Sequence, residues 1–289
     1  MSLQTGKIIK GIGGFYYILC NGIVFTVKAK KKLKHKGLTP TVGDSVLFTP
    51  GQGEQNGWLE DILERKNILV RPPVANIDAL CIVAASVPKP DYQMLDMLML
   101  YAFRFGIQPI LVHNKSELGK DEGMLSYAKS GIPIFYVSAV ENQGIEELKQ
   151  ALQGKSVCLA GQSGVGKSTI INALIDVQLE TGKISRIERG KHTTRHVEIF
   201  HKDGICIFDT PGFSVLELLK ELEAEEIQTY YPELKEYRGK CRFSPCLHLN
   251  EPDCAVLQAI EQKQLPLERI LRYQKLVEIA KENWRTKYD

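Results

Sequence analysis

No stretch of this 289-residue chain approaches the ~18 consecutive apolar residues of a membrane span, and no internal repeat or low-complexity tract interrupts it. Charge of one sign is also scarce. The 37 Lys and Arg against 34 Asp and Glu leave a formal net charge of +3, so affinity for nucleic acid has to come from a local patch rather than a global field. The opening Met1-Ser2-Leu3-Gln4 lacks a basic segment followed by an apolar run, so no secretory signal is expected. Cysteine offers no disulfide framework. There are 7, an odd number, and Cys20, Cys81, Cys158 and Cys206 stand singly in apolar runs. That is the placement of small buried residues in a reducing compartment, and a cytoplasmic location is expected. The composition, 44% hydrophobic and 25% charged, is that of a globular chain able to bury a core.

Residues 1–70 read as short strands, among them Phe15-Tyr16-Tyr17-Ile18-Leu19 and Ile23-Val24-Phe25-Thr26-Val27, joined by Asn21-Gly22, a strong hairpin signal. Several short strands in this length suit a small β-barrel such as an oligonucleotide-binding (OB) fold, and a barrel of another kind fits almost as well. After Arg71-Pro72-Pro73 the rhythm changes. Ala79-Leu80-Cys81-Ile82-Val83-Ala84-Ala85 is continuously apolar, as a strand buried on both faces is. Strands then alternate with amphipathic helices, which predicts a mainly parallel α/β sheet over residues 71–215. Residues 216–289 read as a mainly helical, charged domain with a cysteine-rich loop and a closing helix from Pro266 to Trp284.

Gly161-Gln162-Ser163-Gly164-Val165-Gly166-Lys167-Ser168 fits the P-loop pattern. It follows the apolar run Val157–Ala160 and opens a helical stretch beginning at Thr169, the context the motif requires. Glycines let the backbone aim N–H groups at phosphate oxygens, the helix N-terminus adds positive potential, Lys167 reaches the outer phosphates and Ser168 ligates Mg²⁺. Asp209-Thr210-Pro211-Gly212 closes another buried strand; Asp209 suits a Mg²⁺-bound water and the Gly212 N–H suits a terminal phosphate. Asn114-Lys115-Ser116-Glu117, at a strand end, resembles the Asn-Lys-x-Asp guanine-reading motif of GTPases, with glutamate in the acidic place. Ser138-Ala139 matches the short motif that supports the guanine carbonyl. Both precede the P-loop, the reverse of the order in ordinary small GTPases, so the chain reads as circularly permuted.

Between P-loop and Asp209 lies the polar loop Arg189-Gly190-Lys191-His192-Thr193-Thr194-Arg195. A Mg²⁺-binding threonine is expected there, Thr194 in preference to Thr193. Phe213 stands where many GTPases carry a water-orienting glutamine and cannot orient water. His192 is the candidate for that task; an exposed loop histidine is the alternative. Cys241, Cys246, His248 and Cys254 offer three thiolates and an imidazole in one short segment, the ligand set of a closed structural Zn²⁺ site. Lys28-Ala29-Lys30-Lys31-Lys32-Leu33-Lys34-His35-Lys36 puts six lysines into the barrel region, either a solvated loop or a phosphate-backbone contact.

Together these motifs resemble the bacterial ribosome small-subunit-dependent GTPase A family. The residues carrying the resemblance are Arg71-Pro72-Pro73 with Asn76-Ile77-Asp78, Asn114–Glu117, Gly161–Thr169, Gly190–Thr194, Asp209–Gly212 and the cysteine–histidine cluster. The resemblance implies an OB-fold domain (1–70), a permuted GTPase (71–215) and a zinc domain (216–289). It implies GTP/GDP and Mg²⁺ as ligands, one structural Zn²⁺, ribosome-stimulated hydrolysis with a role for His192, and the small (30S) subunit with its 16S rRNA as partner of a monomeric, non-membrane protein. Two rivals remain: a P-loop kinase using ATP or a metabolite, and an RNA-binding module that keeps the nucleotide as a structural ligand.

Overall fold

The computed structural model describes residues 2–35, 37–51, 55–175, 198–209 and 221–288. His192, Thr193, Thr194, Gly212 and Phe213 lie outside the described residues, as does the boundary expected near 215.

The first five long strands are β1 (Gln4–Ile12), β2 (Phe15–Cys20), β3 (Ile23–Ala29), β4 (Ser45–Thr49) and β5 (Gly57–Ile62), with a short helix α1 (Lys31–His35) between β3 and β4. They pair in the order β1-β2-β3-β5-β4, and β4 returns to β1 to close a five-stranded barrel. Only the β3–β5 pairing is parallel. This is the Greek-key barrel of the OB-fold. The β2–β3 hairpin turns on Asn21 and Gly22, both at positive φ, as the dipeptide implies. Ile8, Ile18, Val27, Val46, Phe48 and Leu59 alternate inward and fill the barrel.

A two-stranded ribbon, β6 (Ile68–Leu69) and β7 (Val74–Ala75), leads into the second domain. There β8 (Ala79–Ala85), α2 (Tyr92–Arg104), β9 (Gln108–Asn114), β10 (Ile134–Tyr136), α3 (Ile145–Leu152), β11 (Ser156–Gly161), α4 (Lys167–Ile175), β12 (Glu198–Lys202) and β13 (Ile205–Asp209) follow in turn. The sheet order is β10-β9-β8-β11-β13-β12, parallel except for β12. Alternate residues of β8 divide between two cores. Leu80, Ile82 and Ala84 face one side, and Ala79, Cys81, Val83 and Ala85 face the other with α3 and α4. α3 buries only Ile145, Leu148 and Leu152, the stripe of a surface helix. α2 is buried through the whole run Leu95–Ala102, because a second layer covers its outer face.

That layer is the C-terminal region: α5 (Ala224–Ile227), two 3₁₀ turns, the cysteine loop, α6 (Ala255–Glu261) and α7 (Leu267–Tyr288). An ionic cluster is buried at its seam with α2. Arg269 pairs with Asp96 at 2.5 Å and Glu233 at 2.6 Å, and Arg272 pairs with Asp96 at 2.8 Å.

The barrel is not a separate bead. β1 pairs with β12 through Lys10 and Glu198, making one sheet of eleven strands. Asn76 spans the linker: its Nδ2 donates to Gly43 O (3.0 Å) in the barrel and its Oδ1 accepts from Lys66 N (2.9 Å). Asp78 accepts from Ser156 N at the foot of β11 (2.9 Å) and pairs with Lys66 (2.7 Å). These bonds give Asn76 and Asp78 a structural role between the barrel and the second domain.

Candidate nucleotide-binding site

The P-loop occupies the turn from β11 into α4, and the first turn of α4 leaves its amide hydrogens without intrahelical partners. Gly161 lies at φ 146°, and a Cβ there would stand 2.2 Å from Val83 O on the neighbouring strand. Gly166 lies at φ 91°, and a Cβ there would stand 2.3 Å from Asn114 Nδ2. Glycine at 166 is therefore needed for the guanine-type motif to touch the phosphate loop.

That touch is specific. Asn114 is buried at the end of β9; its Nδ2 donates to Val165 O at 2.9 Å, and its Oδ1 accepts from Ala139 N at 3.2 Å. Lys115, at φ 60°, donates through Nζ to Val87 O (2.7 Å) and Gly164 O (2.8 Å). Ser116 N donates to Val137 O at 3.1 Å, and the Ser138 hydroxyl accepts from Glu141 N at 3.2 Å. Asn114, Lys115, Ser116, Ser138 and Ala139 thus join three strand-end loops to the P-loop. Glu117 is exposed at the rim on a 3₁₀ turn, Ser116–Leu118.

Lys167 donates to Gly161 O (2.8 Å) and Gln162 O (2.7 Å), and burial holds its ammonium below its ordinary value. Anionic phosphates offset that desolvation, so the loop suits an anionic ligand. Ser163 and Gly164 are exposed at the loop's crest, and Ser168 and Thr169 are half-buried on the first turn of α4. The Asp209 backbone ends β13 beside β11. Two contributions carry no sequence signal. Gln162 Oε1 accepts from Asp91 N at 2.9 Å, and Ser86 Oγ donates to Gly119 O at 2.9 Å. Both are long-range contacts between loops that no local pattern links.

The second cluster is in the C-terminal layer. Cys246, His248 and Cys254 are buried and Cys241 is half-buried, with one donor atom of each within 4.8 Å of all the others. Ligand bonds of about 2.3 Å to sulfur and 2.0 Å to nitrogen give a tetrahedron S···S edges of about 3.8 Å and S···N edges of about 3.5 Å. Here the S···S separations from Cys254 are 3.8 and 3.9 Å, and the three S···Nδ1 separations are 3.3, 3.4 and 3.6 Å. The donors fit a four-coordinate zinc ion. His248 Nε2 faces Gln228 Oε1 at 3.3 Å, which leaves Nδ1 for the metal side. Tyr273 and Gln274 of α7 donate to the carbonyls of Leu247 and His248. Burial, with the Cys241 and Cys254 thiols adding to it, pushes the Cys246 thiol up to about 12, the disfavoured charge that a cation offsets.

On the barrel, Lys28 lies near the end of β3 and Lys31, Lys32 and Lys34 lie on α1, a helix that the run itself does not announce. Lys30 and Lys32 both reach Glu60, at 2.6 and 3.3 Å, so part of the run is neutralised within the barrel. Lys28 lies over the Phe15 ring at 4.7 Å, and its other ladder partner is the exposed Trp58.

A P-loop strand–loop–helix, braced by an Asn-Lys loop at the carboxyl ends of a parallel sheet, defines the class: a P-loop GTPase, with the guanine-motif strands preceding the phosphate-loop strand in the chain. Comparison with known proteins agrees. The RsgA GTPase family model matches residues 62–219, and the RsgA N-terminal domain model matches residues 5–59. The chain belongs to the RsgA GTPase family and is a GTP hydrolase. Among its relatives is the small ribosomal subunit biogenesis GTPase RsgA of Geobacillus sp. (strain WCH70), 42% identical over 291 residues, covering 97% of this chain and 98% of that protein. The protein of the same name from Ruminiclostridium cellulolyticum is 40% identical, covering 97% and 95%. Two solved structures are similar throughout. YjeQ from Thermotoga maritima has a TM-score of 0.81 at 30% identity, covering 96% of this chain and 99% of that one. YloQ, described as a circularly permuted GTPase, has a TM-score of 0.80 at 33% identity, covering 97% and 96%. As family members use guanine nucleotide with Mg²⁺, the kinase reading is set aside. No helix among the described residues is long and apolar enough to cross a membrane.

Proposed function

We propose that this protein is a cytoplasmic, monomeric GTPase that docks on the small (30S) ribosomal subunit late in its maturation, contacts 16S rRNA, and leaves after hydrolysing GTP. The relatives' shared name supports the partner. The observation that carries the nucleotide chemistry is Asn114, which joins the P-loop at Val165 to the Ser138-Ala139 loop, so base and phosphate elements form one braced cradle.

In this reading the N–H groups of Gly161–Thr169 and the Lys167 ammonium hold the phosphates. Asn114, Lys115, Ser116, Glu117, Ser138 and Ala139 surround the base. Lys167 exchanges its bonds to Gly161 O and Gln162 O for phosphate oxygens, and the burial that disfavours its charge strengthens that new pairing. Ser168 and Thr194, with Asp209 acting through a water, would hold Mg²⁺, which would supply charge neutralisation to the transferring phosphoryl group. Gly212 N–H meets the terminal phosphate and His192 orients the attacking water. Cys241, Cys246, His248 and Cys254 would hold one structural Zn²⁺ that closes the loop onto the start of α6, while Tyr273 and Gln274 dock that loop on α7. The row Phe15–Lys28–Trp58 across β2, β3 and β5 gives the barrel a cation between two aromatics, a surface suited to stacked bases and phosphate. Domain limits near 70 and 215 complete the proposal.

The test is hydrolysis with and without purified small subunits, together with co-sedimentation under GTP, GDP and a non-hydrolysable GTP analogue. Turnover should rise with subunits, and the protein should pellet with the analogue but not with GDP. Turnover indifferent to subunits, with no nucleotide-dependent pelleting, would refute the reading.

A further inference from the structure

The start of α2 is a junction of three segments. Asp91, which caps the helix, gives its N–H to Gln162 in the phosphate loop at 2.9 Å. Tyr92, the first helical residue, gives its hydroxyl proton to the Asp121 carboxylate just beyond the guanine-type motif. Asp121 also accepts from Gly123 N at 2.9 Å, and its own N–H faces His113 Nε2 at 3.4 Å. From the C-terminal layer, the Arg272 guanidinium lies over the Tyr92 ring at 5.2 Å while pairing with Asp96. A Cβ at Gly123 would stand 2.3 Å from the Tyr92 hydroxyl oxygen, so the ring is seated where only glycine leaves room.

The 3₁₀ turn that presents Glu117 is thereby held on both sides. Lys115 and Ser116 anchor its entry on Val87, Gly164 and Val137. Ser86 and Tyr92 anchor its exit at Gly119 and Asp121. The second anchor bears on the placement of Glu117. Glu117 carries one methylene more than the aspartate of the usual motif, hence one more rotatable bond to fix. An exposed, longer side chain depends more on the backbone that carries it for accurate placement.

We propose that Tyr92 is a positioning residue for guanine recognition: through Asp121 it fixes the loop that aims Glu117 at the ring N–H and amino group of the base. The proposal rests on reading Glu117 as the base acceptor. Arg272 extends the assembly, so the C-terminal layer braces the guanine loop through the Tyr92 ring.

The experiment measures the dissociation constants of GDP and of inosine diphosphate, which lacks the amino group, on the full chain. Tyr92→Phe keeps the ring and removes only the hydroxyl. It should narrow the preference for GDP over inosine diphosphate about fivefold, the size of one lost hydrogen bond. Gly123→Ala, which displaces the ring without touching the loop's polar groups, should do the same. Asp121→Asn keeps an acceptor for the hydroxyl and should retain most of the preference. If Tyr92→Phe and Gly123→Ala weaken both nucleotides by the same factor, or leave both unchanged, the positioning role is overturned. Glu117→Ala separates the two ideas. A preference it leaves intact would sink the base-acceptor reading itself. A preference that it abolishes while Tyr92→Phe and Gly123→Ala retain theirs would sink the positioning role alone.

Discussion

Replacing Arg269 by methionine tests the seam between the GTPase domain and the zinc-bearing layer. The guanidinium is buried, 1% exposed, between Asp96 at 0% and Glu233 at 2%, and it stacks on Tyr231 at 4.1 Å and Tyr127 at 4.9 Å. Methionine keeps much of the apolar volume and removes the charge. Asp96 retains Arg272 at 2.8 Å and the Tyr127 hydroxyl at 2.6 Å. Among the described residues Glu233 retains no cation, so the loss falls mainly on it. Removing one partner of a buried ion pair costs about 3–5 kcal/mol, a large fraction of the roughly 5–15 kcal/mol by which domains are stable. At about 2–4 °C per kcal/mol, the melting midpoint should fall by about 10 °C. Thermal unfolding followed by far-UV circular dichroism reads it, with zinc and nucleotide held constant. The double variant Arg269→Met/Glu233→Met supplies the sign test. Without a stranded carboxylate it should melt higher than Arg269→Met alone. A single variant within about 2 °C of the parent, or a double variant no more stable than the single, would refute the account.

Lys167→Ala should abolish turnover and weaken GTP and GDP binding together, because the phosphates lose the cation that the P-loop buries; unchanged affinity by calorimetry would count against the assignment. Elemental analysis should find one zinc per chain, and Cys246→Ser should lose it along with the fold of the C-terminal layer. Metal-free protein with the parent's melting curve and far-UV spectrum would argue against a structural ion. His192→Ala should bind GTP and subunits normally while subunit-stimulated hydrolysis drops by roughly 10²-fold, leaving the protein held on the subunit; stimulated turnover within a few-fold of the parent would point to a group supplied by the ribosome.

The local motifs were legible in the sequence because their chemistry is local. A phosphate loop needs its glycines, lysine and serine at fixed spacing on a strand–helix turn, and Gly161–Ser168 announces that turn without help from the rest of the chain. The four zinc-type ligands lie within one short segment, and Asn21-Gly22 states its own hairpin. The permuted order is a fact about chain direction alone. Pairings between distant segments were not legible, because side-chain periodicity reports which face is buried and not what buries it. The apolar face of α2 indicates burial, yet only the tertiary structure shows Arg269 and Arg272 closing over it from more than 170 positions away. Asn114 reads as a base contact in the sequence, while in the folded chain it also ties Val165 to Ala139. All six lysines of the run look available for phosphate until Glu60, on another strand, is seen to pair with two of them, Lys30 and Lys32. The same holds for the single sheet: β1 carries no mark of β12. Strand hydrogen bonds run between backbones, whose donors and acceptors are the same in every residue but proline, so the choice of partner strand is made by global packing.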